Sequence, residues 1–524
     1  MRWIVIGEEN GKITMVSKND GDGTDGLIYN GTYLTIENEQ KQKFILRVDE
    51  SSQVNPYTPS PLIADMNLPP LIQDQLSRNL IRSERIIEIP GREGGVSSFI
   101  KPQSLARLST QEEIDYAIGN SEGMPLFLAS AFGRNSQILR DFNGKYVVAR
   151  VPQEVFFHQM MITGRTGSGK TVAMKYMSQY FTENEIKTDN SNSGILGSVL
   201  AVNVKEEDLL RMDKGSNSYD DKIEKEWDTI GLSPHGTSSY RIYYPGNSLN
   251  HYSQKVDRNK CIKITLKTKN LEPDTLTGLV QNLSSQGSDH LPAIFRYWKE
   301  LEMKNGDTLD TFLKYFSSNK DRKFYGMNIK EQEYEITLHP GTFQNVQRTI
   351  SKNTQYFDVE DAIELSAEHI LEPGKMSVLD LSDKDGLGFG SVLLRDILEK
   401  IYEKKSDRES KVPVLVIIDE VHEFYGNVRS REALETLDAI TRKGRSLGIG
   451  VIFSSQNPED MPKGISSVVN TKLHFRSDSK TIGIKFTGID PESLHSGYSV
   501  VQIYGMNQLK LVKFPLSLSG DLNE

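Results

Sequence analysis

Residues 156–180, FFHQMMITGRTGSGKTVAMKYMSQY, constrain this chain more than any other stretch: an apolar run breaks into a glycine-rich turn and resumes as a helical pattern. Gly164, Gly169, Lys170 and Thr171 satisfy G-x-x-x-x-G-K-[ST], the phosphate-binding loop, with a strand pattern before it and a helix pattern after it. Glycines at 164, 167 and 169 let the backbone turn tightly, so that the N–H groups of the loop, those of Thr166 and Ser168 among them, converge on one point. The positive end of the following helix faces the same point, and a polyphosphate such as that of ATP fits there. Lys170 then reaches the outer phosphates as a point charge, and the Thr171 hydroxyl ligates Mg²⁺. The competing reading is a glycine- and serine-rich turn that binds nothing; the flanking strand and helix argue against it.

At 524 residues the chain exceeds one ordinary domain. With 37% hydrophobic and 25% charged residues it reads as soluble and globular. No apolar run reaches the roughly 18 residues of a membrane span, and MRWIVIGEENGK at the N-terminus lacks a long apolar segment and a cleavage site. A cytoplasmic protein without membrane contact is expected. The single cysteine, Cys261, excludes an internal disulfide and a cysteine-built zinc site. A net charge of −9 argues against a surface coated for nucleic acid, but a ring that threads DNA needs only a basic lining.

Short β-rich runs at 3–7, 13–17, 33–38 and 44–48 predict a small barrel or sandwich, an N-terminal β-rich domain over 1–110. A loop is expected at 51–70, a helix and then an extended run over 71–89, and strands near 126–131 and 145–152 leading to the phosphate loop. The run 195–204 reads as a buried parallel strand. A mixed, partly helical insertion is expected from 206 to about 370, with helix candidates at 274–285, 290–303 and 307–317. Its basic residues at 255, 258, 260, 263, 267 and 269 are either a solvated strand face or a nucleic-acid contact. Strands at 376–382, 412–420 and 448–456, helices at 390–405 and 430–445, a strand at 472–477 and a hairpin over 498–515 complete the pattern. Strands alternating with helices imply an α/β fold with a mostly parallel sheet covered on both faces, over 125–515.

The strand at 412–418 delivers Asp419 and Glu420 at its C-terminal end, where open α/β sheets place their ligands. In this Walker B form, Asp419 holds Mg²⁺ through water and Glu420 polarises the attacking water. Gln456 closes the next strand, where its amide can report a terminal phosphate or simply cap the strand. Arg442 and Arg445 precede that strand and offer guanidinium groups to a nucleotide on a neighbouring subunit, or to solvent.

TGRTGSGKT, VIIDEVHEF and ITRKGRSLGIGVIFSSQNP, with the β-rich N-terminal part, resemble the HerA group of the FtsK–HerA superfamily of P-loop motor ATPases, over roughly 125–515. The resemblance implies a RecA-like core with a small N-terminal barrel, a homo-hexameric ring, ATP-driven movement on double-stranded DNA, and a NurA-like nuclease or another effector as partner. It implies Glu420 as catalytic carboxylate, Gln456 as sensor and Arg442 or Arg445 as the arginine acting in trans. Two positions depart from the group: Asn457 stands where an arginine is frequent, and Asn203 where an acid is frequent, with Glu206 or Glu207 as substitutes. The segment 498–515 is expected to pack across the subunit boundary. A ring that scaffolds a defence effector, and a nucleotide-gated assembly protein with little turnover, are the competing functions.

Overall fold

Alternating apolar residues close the first part of the chain into a barrel. Its strands are β1 (Trp3–Glu9), β2 (Lys12–Ser17), β3 (Tyr33–Glu37), β4 (Lys43–Val54), β5 (Arg78–Ile89) and β6 (Leu105–Leu108), antiparallel in the order β1-β2-β5-β4-β3-β6. Trp3 and Val5, Ile13 and Met15, and Leu34 and Ile36 point inward at every second position, as strand geometry requires. Closure leaves no unpaired edge. The computed structural model describes residues 3–17, 28–54, 78–90, 99–118, 123–131, 137–188, 191–205, 207–246, 248–280, 283–382, 387–425, 439–440, 442–460, 468–477, 491–506 and 508–522. The expected loop at 51–70 begins as strand, since Ser51–Val54 belongs to β4, and its remainder lies outside the described residues. The helix expected within 71–89 likewise falls outside them up to 77, and the rest is β5.

The helix Gln111–Ile118 joins the barrel to the second domain. Tyr33 and Ile45, on the outer face of the barrel, share a core with Ile114 and Ala117. Glu113 is buried there and accepts hydrogen bonds from Arg107 Nη1 and Nη2, Lys43 Nζ, Thr35 Oγ1 and the Thr110 N–H, at 2.7–2.9 Å. Burial raises its pKa, but these donors outweigh it and bring the carboxyl down to about 2.

The second domain is built on a 14-stranded sheet. In chain order the strands are β7 (Met124–Ala131), β8 (Gln137–Ile138), β9 (Val148–Val151) and β10 (Met160–Thr163), then the separate hairpin β11 (Glu185–Thr188) and β12 (Ser191–Leu196), then β13 (Ser198–Asn203), β14 (Ser239–Pro245) and β15 (Cys261–Thr265). A second separate hairpin, β16 (Lys323–Met327) and β17 (Glu333–Thr337), precedes β18 (Ile363–Glu364), β19 (Lys375–Asp380), β20 (Val414–Ile418), β21 (Ile449–Ser455), β22 (Thr471–His474), β23 (Tyr498–Gln502) and β24 (Leu511–Lys513). The order is β18-β15-β14-β19-β13-β20-β21-β10-β22-β23-β24-β7-β8, with β9 on β7. Pairing is parallel from β18 to β22 and antiparallel beyond.

The central strands are buried on both faces. In β13, Leu200 and Val202 enter one core while Val199 and Ala201 enter the other, so its sequence is apolar throughout rather than alternating. This is the RecA-like arrangement expected. The stretch from 206 to 370 is not wholly an insertion: β14, β15 and β18 extend the main sheet, and the helices Ser285–Tyr297, Leu309–Ser318 and Pro340–Asn353 pack around β16 and β17. The segment 498–515 forms the hairpin expected, β23 against β24. It supplies β23 and β24 to its own chain's sheet, paired with β22 and β7. Among the described residues no helix is long and apolar enough to cross a membrane.

Candidate active site

The phosphate loop follows from one strand and three glycines. β10 is fully buried, and the chain leaves it through Gly164, Gly167 and Gly169 at φ of 154°, 74° and 107°. A Cβ on Gly164 would lie 2.7 Å from Phe475 Cβ and 2.8 Å from Ser168 Oγ, so only glycine fits that corner. Lys170 and Thr171 open the helix Lys170–Glu183, with Gly169 at its N-cap. Arg165, Thr166 and Gly167 form the exposed tip. Lys170 is buried, its Nζ donating to Gly164 O at 2.5 Å and to Arg165 O at 3.3 Å. Burial depresses its pKa; Glu420 and then Asp419 oppose this, and the charge of Lys205 adds to it.

The loop is also held from outside its motif. Ser496 Oγ donates to Gly167 O at 3.2 Å and the Gly497 N–H to Ser168 O at 2.9 Å, while the Arg165 N–H donates to Arg476 O at 2.9 Å. At the end of β10, Thr163 Oγ1 meets His474 Nδ1 at 2.7 Å, and burial, with help from Lys472, drops the His474 pKa to about 4.

Parallel pairing brings the C-terminal ends of β10, β21, β20 and β13 to one edge of the sheet. Because β21 lies between β10 and β20, Gln456, just past β21, stands between the loop and the acid pair. Its turn is pinned by Asp460, which accepts from Ser455 Oγ at 2.6 Å and from the Asn457 N–H at 3.1 Å. Asp419 and Glu420 follow β20 and are both buried. Glu420 sits at φ 45°, a conformation that an L-residue holds only when its surroundings impose it. The Val421 N–H fastens the acid turn to Ser454 O at 3.0 Å. Burial, above all, raises the Asp419 pKa, and the charge of Glu420 adds to it. A buried carboxylate raised in this way, the Thr171 hydroxyl and a glycine cradle are the donor set that suits Mg²⁺ bound with a nucleotide phosphate.

The sheet does not bring Arg442 and Arg445 to this edge. They lie on the short helix leading into the N-terminal end of β21, a seven-residue strand, and thus roughly 20 Å from the loop. Neither serves the loop of its own chain. Glu206 lies outside the described residues, and Glu207 is turned away, accepting from Ser253 N at 2.6 Å and Ser253 Oγ at 2.5 Å. The acid beside Asn203 is instead Asp380 of β19, which accepts from Asn203 Nδ2 at 2.8 Å. The basic stretch at 255–269 surrounds β15, six strands from β10, or roughly 30 Å.

Sequence reasoning missed Lys205, whose ammonium is ion-paired with Glu420. A polar residue just past a parallel strand was the available signal, but the search there was for an acid. Ser496 and Gly497 carried no signal, being more than 300 residues from the loop.

A family model described as Zonular occludens toxin (Zot) matches residues 396–516. Two proteins named DNA double-strand break repair helicase HerA are similar to this chain. The one from Sulfurisphaera tokodaii is 25% identical over 250 residues, 44% of this chain and 49% of that protein. The one from Saccharolobus solfataricus is 24% identical over 356 residues, 66% of this chain and 60% of that protein. The chain thus spans about half the length of the curated relatives it matches. Among solved structures, VirB4 of Thermoanaerobacter pseudethanolicus aligns at a TM-score of 0.46 with 11% identity, over 75% of this chain and 97% of that one. The loop, the acid pair and the strand between them are thus assembled in this order in a chain that is similar to HerA proteins over part of its length.

Proposed function

We propose that this protein is an ATP-driven translocase on double-stranded DNA, working as a hexameric ring beside a nuclease or another effector. The observation that carries the reading is the strand order β20-β21-β10, which sets Lys170, Gln456, Asp419 and Glu420 along one edge of the sheet. Lys170 and the loop N–H groups bind and orient the phosphates, and Thr171 with Asp419 would hold Mg²⁺, which neutralises charge on the phosphate oxygens when bound. Glu420 accepts a proton from the attacking water, and Gln456 contacts the terminal phosphate. The position of Arg442 and Arg445 fits service to the site of an adjacent subunit, which makes hydrolysis depend on assembly. DNA is held through phosphates, without sequence preference and with affinity that falls as salt rises. The HerA relatives support the DNA reading, and the barrel is the docking domain for the partner.

The test is ATP hydrolysis by the purified chain with and without linear duplex DNA, alongside its mass in solution. Hydrolysis stimulated by DNA, in a particle of about six subunits, is expected. Glu420→Gln should lower the rate on the order of 10²–10⁴-fold while nucleotide binding and assembly persist. A stable hexamer that hydrolyses nothing in either condition refutes the autonomous motor.

A further inference from the structure

The ion pair between Lys205 and Glu420 belongs to neither the loop motif nor the acid motif. Its two ends differ. The Glu420 side chain is 4% exposed and fixed by its turn, whereas that of Lys205 is 44% exposed. The main chain at Lys205 is nevertheless anchored: Asn203 Nδ2 donates to Lys205 O at 3.2 Å as well as to Asp380 Oδ1, and Asp380 Oδ2 accepts from Tyr252 OH at 2.6 Å. A flexible four-carbon stem therefore swings from a fixed base. Its charge lies within the field of Lys170, at the same edge of the sheet as the phosphate loop.

An ammonium on a carboxylate oxygen takes up one of its acceptor sites and makes the carboxylate a weaker base toward a water. Glu420 Oε1 is so engaged, and Oε2 is buried without a hydrogen bond, 3.4 Å from His422 Nδ1. We propose that Lys205 is a two-position switch in cis: it holds Glu420 in the empty or diphosphate-bound site, and moves to the terminal phosphoryl group of a triphosphate, freeing Glu420 for the water. Lys205 is thus the residue by which the site tells a nucleoside triphosphate from a diphosphate. This rests on the nucleotide reading above and adds a means of regulation. The Tyr252–Asp380–Asn203 chain connects the base of the switch to the segment after β14.

The experiment is equilibrium binding of ADP and of a non-hydrolysable ATP analogue, each with Mg²⁺, to the full chain. Lys205→Met should lose about tenfold in triphosphate affinity with ADP binding unchanged, and Lys205→Arg should retain the preference. Glu420→Gln, which releases Lys205 in the empty site, should bind the triphosphate more tightly than wild type, and the gain should vanish in the Lys205→Met/Glu420→Gln double variant. Equal weakening of both nucleotides by Lys205→Met, no change in either, or a gain that survives in the double variant overturns the switch. A wild-type chain that binds neither nucleotide overturns the nucleotide reading itself. Thermal melting of each variant separates these results from loss of folding.

Discussion

Replacing Gly169 with alanine tests whether the phosphate loop is held by the distant turn at 495–497. Gly169 stands at φ 107°, and a Cβ there would meet Gly497 N at 2.8 Å, Gly497 Cα at 3.0 Å and Phe475 Cε1 at 3.5 Å. The backbone conformation costs an L-residue about 1–2 kcal/mol. Contact with backbone atoms, which cannot rotate away, adds about 1–3 kcal/mol. The sum of about 2–5 kcal/mol corresponds to a loss of at least roughly thirtyfold in nucleotide affinity, because the loop relieves the overlap only by leaving its phosphate-binding shape. Gly497→Ala is the control. It too has positive φ, 82°, but its Cβ would meet nothing closer than Phe514 O at 3.7 Å. Its cost is conformational alone, about 1 kcal/mol, or roughly fivefold in affinity. Titration of each variant with a fluorescent triphosphate analogue, with melting curves to monitor folding, compares the two. Binding by Gly169→Ala within threefold of wild type, or a larger loss in Gly497→Ala, refutes the clamp.

Two further predictions concern buried titratable groups, one at the joint between the domains and one beside the phosphate loop. Glu113→Gln keeps the shape of the side chain but removes its charge from the joint between barrel and core. With a folded pKa of about 2 against 4.5, the carboxylate's contribution is complete above pH 4.5 and lost as pH falls through 2. The variant should therefore be less stable by about 3 kcal/mol at neutral pH and by roughly half that at pH 3. Urea unfolding at the two values reads this, and an equal loss at both refutes it. His474, with a folded pKa of about 4 against 6.5, binds fewer protons folded than unfolded, so its contribution is complete above pH 6.5 and falls away toward pH 4. His474→Gln should flatten the decline in stability between pH 6.5 and 4.5 by about 2 kcal/mol, and an unchanged slope in urea midpoints argues against a buried neutral imidazole.

The phosphate loop and the Asp419–Glu420 pair were legible because each is a local pattern: glycines at fixed spacing before a helix, and acids closing an apolar strand. The helix at 390–405 was legible from its spacing of apolar residues, and it is present as Leu387–Ser406. The stretch 206–370 was misread in part because β14, β15 and β18 are short or partly polar, and join the sheet only through neighbours far along the chain. Arg442 and Arg445 were read as serving a neighbouring subunit, and only the strand that follows them says how far they lie from their own loop. Their spacing from Gln456 is plain, but a strand runs between them and carries the two ends to opposite edges of the sheet.

What the sequence determined by itself was therefore the local motifs and the class of fold, since both rest on residue types at short spacing. The tertiary structure decided which groups meet: Gln456 between loop and acids, Lys205 on Glu420, Ser496 and Gly497 on the loop, Asp380 beside Asn203. Those meetings follow from strand order and parallel register, which are set by burying two apolar faces at once and leave no periodic trace in the residues that they bring together.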